Sequence, residues 1–77
     1  MDEFLEDDPI IIFAKPVRGK ATKPIFPHEP GRCEAFGSNW IAVLYPPNSK
    51  ATILPNSPIN VIGRQGIRLL INPLELS

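Results

Sequence analysis

Proline limits what this chain can become. Ten of its 77 residues are proline, seven of them clustered at 24–30, 46–47 and 55–58 between the apolar stretches. Each one removes a backbone donor and clashes with the preceding helical turn, so a helix has almost no room. No segment places apolar residues at the i, i+3, i+4, i+7 spacing of a buried helical face, and no internal repeat is present. What is left is a set of short β segments separated by Pro/Gly turns, the pattern of an all-β domain, a small barrel or sandwich. At 77 residues it is a single domain with a thin core.

The candidate strands are GKATKPI (19–25), RCEAF (32–36), NWIAVLY (39–45), INVIG (59–63) and IRLLIN (67–72), with Ala51–Leu54 a further short possibility. Residues 19–74 form the expected barrel. Residues 1–18 form an acidic tail followed by the apolar run Ile10, Ile11, Ile12 and Phe13. This segment is either disordered or an edge strand, because Pro9 and Pro16 bracket the run. Its flanking charges guard it against aggregation.

Register follows from the turns. With Gly37-Ser38 at the centre of a type II′ turn, Ala35 faces Trp40 and Cys33 faces Ala42. All four then share one face with Leu44, where small residues opposite a large ring suit a tight interior. The opposite face carries Arg32, Glu34, Phe36, Ile41, Val43 and Tyr45. For the second hairpin, a Gln65-Gly66 turn pairs Ile62 with Leu69. A three-residue Arg64-Gln65-Gly66 loop instead pairs Val61 with Leu69 and Ile59 with Ile71. The latter is favoured because it gathers Ile59, Val61, Ile67, Leu69 and Ile71 on one face. The expected core is therefore Trp40, Ala42, Cys33, Ala35, Ile59, Val61, Leu69 and Ile71.

Chemistry is sparsely signalled. Cys33 is the one cysteine and His28 the one histidine, which excludes an internal disulfide and a Cys/His zinc site. No phosphate-binding Gly loop, HExxH or GxSxG occurs. His28 and Glu29 are adjacent in a Pro-flanked loop, an arrangement that rarely converges on one substrate. No catalytic residue, metal or cofactor is expected. No apolar run approaches the ~20 residues of a membrane span, and the acidic start lacks the basic region of a signal peptide. The expectation is a soluble, cytoplasmic protein.

Five acids lie within residues 1–8. From Lys15 onward eight Lys/Arg stand against three acids, a body of +5. Such a body suits an anionic partner. Arg32, Lys20, Lys23 and Arg68 beside Phe36 and Tyr45 form a conceivable single-strand nucleic-acid surface, although Glu34 sits among them. A protein partner is favoured. If Trp40 is internal, then Phe36, Ile41, Val43 and Tyr45 make an apolar strip, with Ile10, Ile11, Ile12 and Phe13 as a clamp.

The order Gly19-Lys20-Ala21, Pro30-Gly31, GSNWIA (37–42), INV (59–61), Gly66 and LLINP (69–73) resembles the soluble C-terminal domain of the NfeD-like family. The match covers about seventy percent of the chain. The resemblance implies a five-stranded OB-type β-barrel acting as an interaction module for stomatin/SPFH-type membrane scaffold proteins. The process it implies is membrane organisation or membrane-protein quality control, with the chain peripheral at the membrane through that partner. It implies no catalytic residues, and it makes Trp40 and Ala42 fold residues. The family usually has Gly ahead of its "V.V" strand. The equivalent here is Asn56, the next-best residue for a left-handed backbone. The transmembrane helices and protease domain of longer members have no counterpart in these residues.

Overall fold

A computed structural model of the chain describes residues 8–45 and 50–73. The acidic positions 1–7, the prolines at 46–47 and position 74 of the expected barrel lie outside that range. Five strands are present: β1 (Ile10–Lys23), β2 (Gly31–Ala35), β3 (Ser38–Leu44), β4 (Pro58–Gln65) and β5 (Arg68–Pro73). They close into a barrel in the order β1-β2-β3-β5-β4, with β3 and β5 parallel and every other pair antiparallel. The fold is all-β and of the small OB type. No helix occurs among the described residues, and so none is long and apolar enough to cross a membrane.

Alternation in the sequence carries through to the packing. Along β2 the exposure pattern is strictly in–out, with Cys33 and Ala35 inside. Ala21, Ala42 and Leu44 join them from β1 and β3, while Ile59, Val61, Leu69 and Ile71 come from β4 and β5. Ile25 and Ile53 close one mouth of the barrel. Their backbones exchange two 2.9 Å hydrogen bonds, so the two long loops are clasped there. Within the expected segment Ala51–Leu54, Ile53 forms a β-bridge with Ile25. Phe13, Val17 and Trp40 pack against the other end of the core. Trp40 is thus half-buried at the rim, not enclosed like the other seven expected core residues.

Both hairpin registers differ from the expectation. The first turn centres on Phe36-Gly37, not Gly37-Ser38, so Cys33 pairs with Trp40 and Ala35 with Ser38. Phe36 (φ 55°) and Gly37 (φ 77°) are both left-handed, the signature of a type I′ turn. That turn matches the twist of the strands, and this is the gain that sets against the strain of a bulky left-handed residue. The register moved by two residues, so the side chains within β2 and β3 kept their faces, while Phe36 passed into the turn.

The second turn is a two-residue Gly66-Ile67 turn, not a three-residue loop, with Gly66 at φ 63°. It leaves Ile67 at the tip, 64% exposed and out of the core. A bulge lies between Val61 and Gly63. Val61 pairs with Ile71 on one side of it, and Arg64 pairs with Leu69 on the other. The extra residue, Ile62, shifts the alternation by one, so Arg64 falls on the same side as Leu69.

β1 is longer than the GKATKPI segment and runs across the 18/19 boundary. Its second half pairs with β2 from Lys20 and with β4 from Val17. Its first half pairs only with β4, Ile10 through Ile12 lying opposite Gln65 through Gly63. The register slips between Ile12 and Val17, where Pro16 withholds its donor. Contact along this arm is tight, since a Cβ at Gly63 would collide with the carbonyl oxygen of Ile11. Asn56 takes the left-handed conformation, φ 71°, and its N–H donates to the Ala21 carbonyl at 2.7 Å.

Candidate interaction surface

The outer face of β3 presents Ile41 and Val43, followed by Tyr45, all half-buried. Parallel pairing brings β5 alongside, with Arg68 beside Ile41 and Leu70 beside Val43. Leu70 is 2% exposed although it lies outside the core cluster, so this outer face is itself partly covered. The loop between β1 and β2 stands over it. Phe26 and Glu29 exchange backbone hydrogen bonds of 3.1 and 3.2 Å around Pro27-His28, making a tight turn that holds the Phe26 side chain exposed.

This loop divides the outer face into two open grooves that share Phe26, Glu29 and Pro30. One, of about 310 Å³, is lined by Ile10, Val43, Tyr45, Arg68 and Leu70. The other, of about 410 Å³, is lined by Lys23, Arg32 and Ile41. Ile41 and Val43, two residues apart on one strand, therefore serve different grooves. A third groove of about 330 Å³ opens at the barrel mouth between Phe13, Phe36, Trp40, Arg64 and Leu69.

The eight residues singled out for partner binding are thus dispersed. Ile10 comes together with Val43 and Tyr45 in the first groove, and Ile41 lies in the second. Phe36 leaves the strip altogether. Its ring packs edge-on to Phe13 and to Trp40, with centroids 6.2 Å apart in each case. The Trp40 Nε1–H donates to the Ala35 carbonyl at 2.8 Å, which fixes the indole and satisfies its one polar atom. Ile11 and Ile12 lie on the arm, 48% and 55% exposed. Phe26 and Leu70 were not anticipated. The Pro-flanked phenylalanine in FPHEP was the available signal for the first. Nothing in the sequence marked Leu70 as the one residue of β5 buried from outside.

The Cys33 thiol is buried, and burial pushes its pKa up to about 11, against a smaller downward pull from Arg32. It stays protonated at neutral pH and is a poor nucleophile. His28 and Glu29 are both exposed on their turn at the rim of the first groove. Among the described residues no group of three His, Cys, Asp or Glu side chains is placed to hold a metal ion.

Comparison of the chain with models of protein families finds none that matches, and comparisons with curated proteins and with solved structures find none either.

Proposed function

We propose that the chain is a non-catalytic interaction module whose first groove receives an apolar segment of a protein partner. The observation that carries this reading is the convergence of Ile10 from the N-terminal arm with Val43 and Tyr45 from β3 on one groove. The groove is apolar along its floor and has Arg68 at its side, the mixture of apolar centre and polar rim that protein interfaces show. The resemblance to the NfeD-like domains gives the partner its class, a stomatin/SPFH-type scaffold. The chain would then act in membrane organisation or membrane-protein quality control, held at the cytoplasmic membrane surface by that partner.

A second reading draws on the second groove. OB barrels bind single strands on the face of strands 2 and 3 and the adjoining loops. Here that face offers Lys23, Arg32, Phe26 and Ile41 together. The two readings predict different footprints. Isotope-labelled protein titrated with a stomatin-family fragment should show saturable shifts at Ile10, Val43 and Tyr45. Val43→Ser should abolish them while the circular dichroism spectrum stays unchanged. Titration with an oligonucleotide should leave the chain unperturbed. Shifts confined to Lys23, Phe26 and Arg32, with an affinity that falls linearly with log salt, would replace the first reading by the second.

A further inference from the structure

The third groove, at the barrel mouth, is lined by Phe13, Phe36, Trp40, Arg64 and Leu69, and the function proposed above uses none of them. Two departures from regular β geometry meet there, one from each hairpin. In the first hairpin Phe36 holds a left-handed turn position, φ 55°, where Asn, Asp or Gly is preferred, and its ring stays 56% exposed. Neither the strain nor the exposure favours a phenylalanine on grounds of stability. In the second hairpin the bulge between Val61 and Gly63 turns Arg64 to the side of Leu69, and so to the mouth. Strained backbone and bulges of this kind gather where a side chain must be aimed at a ligand. The rings are also set in advance. Phe36 stands edge-on to Phe13 and to Trp40, with centroids 6.2 Å apart, and the indole is fixed by its 2.8 Å hydrogen bond to the Ala35 carbonyl.

We propose that this groove is a binding site for a small aromatic carboxylate. The rings supply apolar walls against which a further ring can pack edge-on or offset. Arg64 is the one charged side chain in the lining, and its cation selects an anion. The acids among the described residues stand elsewhere. Asp8 lies against Gly66, Glu29 sits on the loop over the outer face, and Glu34 faces Lys20. A guanidinium matches a carboxylate with two parallel N–H donors. A phosphate dianion carries more charge than one guanidinium balances. The volume, about 330 Å³, lies at the lower end of the roughly 300–1,000 Å³ of small-ligand sites, which suits one ring and its acid group. The inference does not depend on the partner proposed above, because the first groove shares no lining residue with this one.

Titration of the isotope-labelled full chain with phenylpropionate tests it. Trp40 is the only tryptophan, so its indole N–H signal is unambiguous. Saturable shifts should appear at that signal and at the Phe36 and Arg64 amides. Arg64→Gln should weaken binding about tenfold or more, the loss of a charge-assisted contact. Phe36→Asn should weaken it roughly two- to tenfold, the loss of one ring contact, with the melting temperature nearly unchanged. Phenylpropionamide, which lacks the charge, and cyclohexylpropionate, which lacks the aromatic ring, should each bind more weakly than the acid. The two substitutions lie on separate hairpins, so a folding failure in one, read by circular dichroism, leaves the other to decide. Absence of a saturable shift at Trp40 would overturn the proposal. So would undiminished binding by folded Arg64→Gln, equal affinity for the amide or the saturated acid, or tighter binding of phenyl phosphate. Shifts confined to Ile10, Val43 and Tyr45 would place the ligand in the first groove and overturn it as well.

Discussion

The two walls of the barrel solve the same packing problem in opposite ways. β1, β2 and β3 line the interior mainly with small residues, Ala21, Cys33, Ala35 and Ala42. β4 and β5 line it with Ile59, Val61, Leu69 and Ile71. A five-stranded barrel is too narrow for large side chains from every side, so one wall must yield volume to the other. Strand pairing is what forms the small wall, and filling the interior is what the large wall contributes. The two walls should therefore fail under opposite substitutions.

Ile71→Ala should be the most damaging. It removes a fully buried side chain from the filled wall and leaves a cavity, a loss of about 2–5 kcal/mol that urea unfolding would read as a lowered midpoint. A loss below about 1 kcal/mol would mean the small wall collapses onto the gap. Ala42→Leu is the mirror experiment. It should cost about 1–3 kcal/mol by overpacking, in spite of adding apolar surface. If it stabilised the protein instead, the two walls would not be complementary. Phe36→Asn should have the smallest effect. Relief of about 1–2 kcal/mol of left-handed strain offsets two edge-on ring contacts worth about 0.5–1.5 kcal/mol each. Thermal unfolding within a few degrees of the native chain is the expected outcome. A large drop would make the Phe13–Phe36–Trp40 stack, and not the turn, the element that fastens the first hairpin.

These walls also explain what was legible beforehand. Side-chain faces in a strand depend only on odd or even position, so Cys33, Ala35 and Ala42 could be assigned to the interior even though the turn was set one residue off, which moves the pairing by two. The turn itself was ambiguous because one glycine serves type II′ as first residue and type I′ as second. Choosing the latter meant accepting a phenylalanine at positive φ, which local preference disfavours. In the second hairpin the bulge at Ile62 was invisible. It adds no unusual residue, yet it exchanges the faces of everything between it and the turn, so Arg64 came to the barrel mouth and Ile67 to the tip. The left-handed Asn56 was legible because few residues other than Gly tolerate that conformation. The candidate site was the least legible part. Ile41, Val43, Tyr45 and Ile10 were named, but the division of that face into separate grooves depends on where the Phe26–Pro30 loop lies, a tertiary fact with no local signature.

The closure of β1 against β4 has a consequence in time. The pairing partners of Ile10–Ile12 are Gly63–Gln65, far along the chain. The β2–β3 and β4–β5 hairpins are local and can form early, whereas the barrel cannot close until the last hairpin is available to receive the first strand. Domains dominated by such distant pairings fold on the slow end of the scale, in roughly milliseconds to seconds. Throughout synthesis the isoleucine run is thus made well before the strand that receives it. The prolines and charges on either side of it protect the nascent chain for that interval, before there is any folded protein to protect.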